Sequence, residues 1–279
     1  MARGLTSGNL PKTLSSVLYR QGFDEVLNLL EPFSQLCLDD RWTPGPWNSS
    51  SEHIIDCMAT FLHAHGIDLP GSQRKPTLPA RAHRTGTPPR IVLNPNAGST
   101  LKEAPVEIWV ALADELAGNG LRPLVLKGGN PSLSERICRL DSRARLISTP
   151  SLPTLKRLLS SSDLLISPDT GVLHIAAAMG IPYIGLFGST DPSFLGPYGA
   201  DDNDIVLSQA PREPVCRGCW AAQLLPRAGC AVGYRPGCLS QLQPSHLLPR
   251  ILDKLPARST ESHALESTAV NRTAATELV

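Results

Sequence analysis

DLLISPDTGVLHIAAAMGIPYIGLFGSTDP, residues 163–192, is the stretch whose reading decides the fold. Leu164 to Ser167 is a short apolar run, Pro168-Asp169-Thr170-Gly171 a polar turn, Val172 to Met179 a helical segment, and Tyr183 to Phe187 a second apolar run. Strand, break, helix and strand in that order make a βαβ unit with parallel strands. Its turn falls at the C-terminal end of the first strand, where open α/β sheets bind their ligands. The turn also opens a helix whose first N–H groups lack intrahelical partners, which favours an anion there. Thr170 adds a hydroxyl, and Gly171 lets a phosphate come close to the backbone. His174 lies about one turn into the helix, toward the same crevice. Gly188-Ser189-Thr190-Asp191-Pro192 forms a second small, polar loop on the same edge. Two such loops side by side point to a nucleotide-diphosphate pocket.

The pattern Ser-Pro-Asp-Thr-Gly-x-x-His-x-Ala-Ala-Ala-x-Gly-x-Pro at 167–182, continued by Gly-Leu-Phe-Gly-Ser-Thr-Asp-Pro at 185–192, closely resembles the C-terminal signature of glycosyltransferase family 9, the ADP-heptose:lipopolysaccharide heptosyltransferases. A lone Asp-Thr-Gly would carry little weight, but both loops match in register. The plainer alternative is one βαβ layer of some other α/β enzyme, with His174 a structural helix residue. The resemblance implies an α/β protein of the GT-B type. It also implies inverting transfer of heptose from ADP-heptose to the lipopolysaccharide inner core, with no cofactor required.

Composition bounds the rest. A chain of 279 residues with net charge +1 and scattered Lys and Arg carries no nucleic-acid footprint. No apolar run approaches the roughly 20 residues of a membrane span, and no signal-peptide core opens the chain. The expected location is cytoplasmic, with at most peripheral contact at the inner face of the cytoplasmic membrane. Seven cysteines without a secretory signal argue for reduced thiols or a metal.

Upstream, Leu10 to Arg20 has the spacing of an amphipathic helix and Phe23 to Leu30 reads as a strand. Ser51 is a candidate N-cap for a helix over Glu52 to His65, closed by Gly66. Pro70 to Pro89 holds five prolines and almost no apolar periodicity, the signature of a linker. The family implies an N-terminal lobe whose glycine-rich loop carries a general-base aspartate. No such loop is found here, and Asp24, Asp39 and Asp40 lack its context. The expected organisation is therefore a partial acceptor-side lobe at 1–70, a linker at 71–89, a complete Rossmann-like donor domain at 90–256 and a disordered tail at 257–279.

Within the donor domain, Ile91 to Asn94 is a strand, Pro95 to Thr100 a loop, and Pro105 to Gly118 a helix. By resemblance the loop matches the family's phosphate-side segment, which makes Lys102 the candidate cation for the donor's phosphates and Asn96 and Ser99 pocket-loop residues. The alternative for Lys102 is a solvated lysine ahead of a helix. Gly120 to Leu126 reads as the next strand, ending in Lys127-Gly128-Gly129-Asn130. Gly128 and Gly129 resemble the nucleotide-side loop, with Glu135 a candidate partner for the ribose. Leu146 to Ser148 is a strand, Ser151 to Ser161 a leucine-faced helix, Ile205 to Leu207 a last strand and Pro244 to Leu255 a last helix. Cys216 and Cys219 are spaced C-x₂-C, and with Cys230 and Cys238 they are compatible with a four-thiolate structural zinc or with free thiols.

The expected donor site is thus Lys102, Asp169, Thr170, Gly171, His174 and Glu135, with Gly188, Ser189 and Thr190 on the neighbouring loop. Three functions fit: an active heptosyltransferase, a nucleotide-sugar-binding protein without turnover, and a zinc-stabilised interaction module. Partners follow from the first two: ADP-heptose or another nucleotide sugar, and a lipopolysaccharide core precursor.

Overall fold

The computed structural model describes residues 3–6, 25–28, 53–64, 66–79, 89–128, 131–140, 143–149, 151–208 and 238–256. The expected helix at 10–20, Gly129, Cys216, Cys219, Cys230 and the expected tail lie outside them. Near the N-terminus, β1 (Arg3–Thr6) and β2 (Glu25–Asn28) pair in parallel, Arg3 opposite Glu25. Then come α1 (Ile54–Ala64) and α2 (Gly71–Arg74). The main domain runs β3 (Ile91–Leu93), α3 (Val106–Gly118), β4 (Leu124–Lys127), α4 (Pro131–Leu140), β5 (Arg145–Ser148) and α5 (Leu152–Ser160). It continues with β6 (Leu164–Pro168), α6 (Gly171–Ala178), β7 (Tyr183–Phe187), α7 (Pro192–Leu195), β8 (Ile205–Leu207) and α8 (Pro244–Lys254).

Strands β3 to β8 form one parallel sheet in the order β5-β4-β3-β6-β7-β8. Every residue of β3, β6 and β7 is buried, whereas β5 at one edge is not. Continuous apolar runs are what central parallel strands need, since helices cover both faces. The two-residue period sorts their side chains cleanly. Ile91, Leu93, Leu164, Ile166, Ile184 and Leu186 enter one core, together with Trp109, Leu112 and Leu116 of α3 and Leu247 and Ile251 of α8. Val92, Leu165, Tyr183 and Phe187 enter the other, with Leu155 and Leu159 of α5 and Leu173 and Ala176 of α6. Trp109 is wholly buried, its burial repeating through Leu112, Ala113 and Leu116 at helical spacing.

Sequence order within this sheet reverses between β3 and β6, since chain order runs outward in both directions from that pair. Such a reversal leaves a crevice at the carboxyl ends of the two strands, because their following connections leave toward opposite faces. The crevice is therefore bounded by Asn94 to Lys102 on one side and Pro168 to Gly171 on the other.

Local signals explain the element ends. Thr170 and Ser151 cap α6 and α5 through their hydroxyls. Gly180 adopts φ +67° after α6, with Ile181 N–H on Ala176 O and Gly180 N–H on Ala177 O. That is the left-handed closure only glycine makes without a steric penalty. Residues 131–140, to which the sequence assigned no element, form α4, and a short α2 lies inside the proline-rich segment. That segment also bonds to the domain, Leu78 N–H donating to Ala178 O at 2.7 Å.

Candidate functional site

The crevice between β3 and β6 is floored by a closed polar network. Asn94, 2% exposed at the end of β3, donates through Nδ2 to Ser167 Oγ at 3.0 Å and Thr170 Oγ1 at 3.2 Å. Ser167 Oγ and Thr170 Oγ1 are 3.0 Å apart, and Ser167 Oγ donates to Pro168 O at 2.9 Å. Thr170 Oγ1 also accepts from Leu173 N–H at 3.4 Å as the helix cap. The Thr170 hydroxyl thus holds the turn from beneath, and what the turn offers outward is its backbone.

Above this floor lies a cluster of three ionisable side chains. Ser99 caps a 3-10 turn over Thr100–Lys102, and Glu103 Oε1 accepts from Ala97 N–H at 3.1 Å, so the loop folds on itself and carries Lys102 over the strand ends. Lys102 Nζ is 3.0 Å from Asp169 Oδ2, the two side chains only 14% and 7% exposed. His174 Nε2 stands 3.4 Å from Asp169 Oδ1, its own side chain 42% exposed. Burial works to raise the Asp169 pKa, but the hydrogen bond from His174 and the charge and bond of Lys102 outweigh it, so the carboxyl sits below its ordinary 3.8. Asp169 is therefore an anion, and its two neighbours aim at separate oxygens.

The glycines separate into two kinds. A Cβ on Gly188 would stand 2.7 Å from Cys238 Sγ, and one on Gly128 2.7 Å from the Asn96 carboxamide. Packing requires both to be glycine. Gly171 differs: a Cβ there would meet nothing within 4 Å, and its φ is not in the left-handed region. Nothing in the fold requires a glycine at the first position of α6, where alanine would be the better helix former.

The structure brings together Lys102, Asp169, Thr170, Gly171 and His174. Asn96 is buried, donating to Leu126 O at 3.2 Å and Ser134 Oγ at 2.9 Å, and so braces the β3 and β4 ends from inside. Ser99 serves its own 3-10 turn. Ser189 and Thr190 are each 2% exposed, and Ser189 Oγ donates to Leu101 O at 2.9 Å, tying the second loop to the segment that carries Lys102. Glu135 lies on α4, 3.0 Å from Lys127 Nζ. Cys238 is buried against Gly188 in the α3–α8 core. Among the described residues no group of three or more His, Cys, Asp or Glu could hold a metal ion.

A cavity of about 660 Å³ runs from Lys102, Asp169 and His174 along α6. Its opposite wall includes His53 and the 196–199 loop, which are joined by contacts the sequence reading did not contain. His53 Nε2 is 2.8 Å from Gly196 O, and the His53 and Tyr198 rings meet edge to face at 5.0 Å. Asp56 Oδ1 accepts from Arg74 at 2.9 Å and Tyr198 Oη at 2.7 Å. Burial tends to raise the Asp56 pKa, but these bonds prevail and hold the carboxyl below 3.8. Partners 142 residues apart leave no local trace in a sequence. Asn94 did leave one, as an amide ending an apolar strand.

Comparison with known proteins places these features in a family. The model of glycosyltransferase family 9 (heptosyltransferase) matches residues 35–221. Lipopolysaccharide heptosyltransferase 1 of Escherichia coli K12 is 35% identical over 115 residues, 40% of this chain and 35% of that protein. The protein of the same name from Pseudomonas aeruginosa is 33% identical over 101 residues, 35% of this chain and 28% of that protein. The chain thus spans about a third of the length of the curated relatives it matches. Among solved structures, E. coli ADP-heptose lps heptosyltransferase II superposes with TM-score 0.60 at 16% identity, over 90% of this chain and 76% of that one. E. coli heptosyltransferase WaaC with ADP gives 0.54 at 20% identity, over 91% and 73%. At these identities the likeness is one of fold.

Proposed function

Because this chain belongs to glycosyltransferase family 9, the heptosyltransferases, we propose that it binds ADP-heptose in the β3–β6 crevice and transfers heptose to the lipopolysaccharide inner core. On this reading residues 90–256 are the donor domain of a GT-B arrangement, residues 1–70 belong to the acceptor side, and 71–89 connect them. The reaction is inverting, requires no metal, and takes place on the cytoplasmic side of the membrane that carries the acceptor.

One observation carries the reading. The first residue of α6 is a glycine that packing does not require, at the strand-order reversal, beside a buried Lys102–Asp169 pair. A diphosphate that must touch backbone amides accounts for that glycine.

The chemistry follows from the charges. As the bond from the anomeric carbon to the diphosphate breaks and one forms to the acceptor oxygen, negative charge grows on the leaving phosphate. The N–H groups opening α6 and its dipole meet that charge without reorganising, and Lys102 adds a compact cation. Asp169, anionic and aimed by Lys102 and His174, accepts hydrogen bonds from sugar hydroxyls. His174 donates to phosphate or holds the turn, and Glu135 serves the ribose. We assign no residue as the base that deprotonates the acceptor.

Calorimetric titration with ADP, followed by an assay of ADP release from ADP-heptose in the presence of acceptor, tests this. Lys102→Ala should weaken binding of ADP, and Asp169→Ala binding of ADP-heptose titrated without acceptor, each by about 1–3 kcal/mol, as lost charge-assisted contacts do. Unchanged affinity in both would overturn the site assignment. Binding of ADP without its release from ADP-heptose would overturn the transfer step.

A further inference from the structure

We infer that Asn94 is a positioning residue for the donor site: it touches no ligand, and it fixes the turn whose backbone receives the diphosphate. This rests on the donor-site reading above. Both hydrogens of the Asn94 amide are committed, to Ser167 Oγ at 3.0 Å and Thr170 Oγ1 at 3.2 Å. Ser167 donates its own proton to Pro168 O at 2.9 Å. Between the two hydroxyls, 3.0 Å apart, the proton must therefore come from Thr170. Thr170 Oγ1 is then left to accept from Asn94 and from Leu173 N–H. Every donor is used, in a single direction, and reversing the amide would set its carbonyl against two hydroxyl oxygens with one proton to spare between them.

The consequence is geometric. Asn94 is anchored to β6 through its own N–H on Ile166 O at 2.9 Å, so its side chain measures the Thr170 hydroxyl from a fixed point on the adjacent strand. Thr170 is the cap of α6, and Asp169 and Gly171 flank it. Withdrawing the amide removes two bonds that hold this cap between two strand ends. Asp169 and the first amides of α6 are then free to drift by fractions of an ångström, enough to spoil a phosphate contact. Asn94 is itself 2% exposed, so substitutions there act through the turn.

A mutant cycle read by ADP calorimetry, with thermal melts alongside, tests the assignment. Asn94→Ala and Thr170→Val should each weaken ADP binding about 10-fold, because each cuts the same network. The double variant should fall within about 2-fold of the weaker single, since residues acting as one unit are not additive. Thr170→Ser, which retains the hydroxyl, should stay within about 3-fold of wild type, a rescue that a merely space-filling role for Thr170 does not predict. If Asn94→Ala does not fold, Asn94→Asp, equal in volume but without the two donors, replaces it in the cycle with the same expectation. Wild-type affinity in the Asn94 variant, or losses that multiply to about 100-fold in the double, would overturn the role of Asn94. Wild-type protein that binds no ADP would instead overturn the donor-site reading, and this inference with it.

Discussion

Gly171 and Gly188, alike in the sequence, have different reasons to exist, and the difference is measurable. Gly171→Ala places a methyl in open space at the start of a helix, so it should leave stability unchanged or raise it by about 0.4–1 kcal/mol. In the proposed donor site the same methyl would stand in the path of the diphosphate, and ADP affinity should fall at least about 10-fold through loss of one or more amide contacts. Gly188→Ala should do the reverse. Its Cβ meets Cys238 and Leu239, which costs about 1–3 kcal/mol in a urea titration. Asp169 offers a separate test. Its carboxyl is held below 3.8, against burial, by the hydrogen bond with His174 and by the charge and bond of Lys102. A depressed carboxylate pKa stabilises the folded state above the unfolded value and loses that contribution as pH falls through the folded one. The stability difference between wild type and Asp169→Asn should therefore be full near pH 6 and disappear on acidification below 3.8. A difference that persists unchanged to pH 2 would contradict the ion pair. Lys102, Asp169 and Gly171 could be named from sequence because they stand in a motif. Asn94 could not be given its role, since a buried amide and a solvent-facing one are written with the same letter.

At the scale of elements, legibility followed burial. β7 and β8 lie where their apolar runs stand, and β3, β6, α3, α5 and α8 match within a residue or so. Their side chains alternate or repeat because a sheet or a helix must hide them. α4 was hidden by its composition: of Pro131 to Leu140 only Leu133, Ile137, Cys138 and Leu140 are apolar, and among the described positions only Ser134 and Ile137 are fully buried. β4 begins at Leu124, later than the sequence reading put it, because Gly120 with φ +70° is closing α3. Trp109 is the deepest test of the element picture. It is fully enclosed between α3, α8 and the sheet, so Trp109→Ala should destabilise by about 3–5 kcal/mol. Trp109→Phe should cost much less, because the indole N–H has no hydrogen-bond partner among the described residues. A loss below about 1 kcal/mol for the alanine variant, where a packed Trp should give several, would place Trp109 outside the core.

For the molecule as a whole, the repeated strand–helix units predicted a parallel sheet, and the reversal of strand order between β3 and β6 puts α3 and α4 on one face and α5 and α6 on the other. What that order does is place Asn94 to Lys102 and Pro168 to Gly171 at adjacent strand ends, although they lie some seventy residues apart. The contacts of His53 and Asp56 with the 196–198 loop, and of Arg74 with Asp56, were out of reach of any local pattern, because they depend on where the helices before residue 80 come to rest. The account turns on one location, the amide end of α6 in that crevice. Diffraction from crystals grown at saturating ADP tests it most directly. The diphosphate should lie against the backbone N–H groups at 170–172, with the Lys102 ammonium in hydrogen-bonding reach of it. ADP bound elsewhere on the domain, with that helix end empty, would contradict the account.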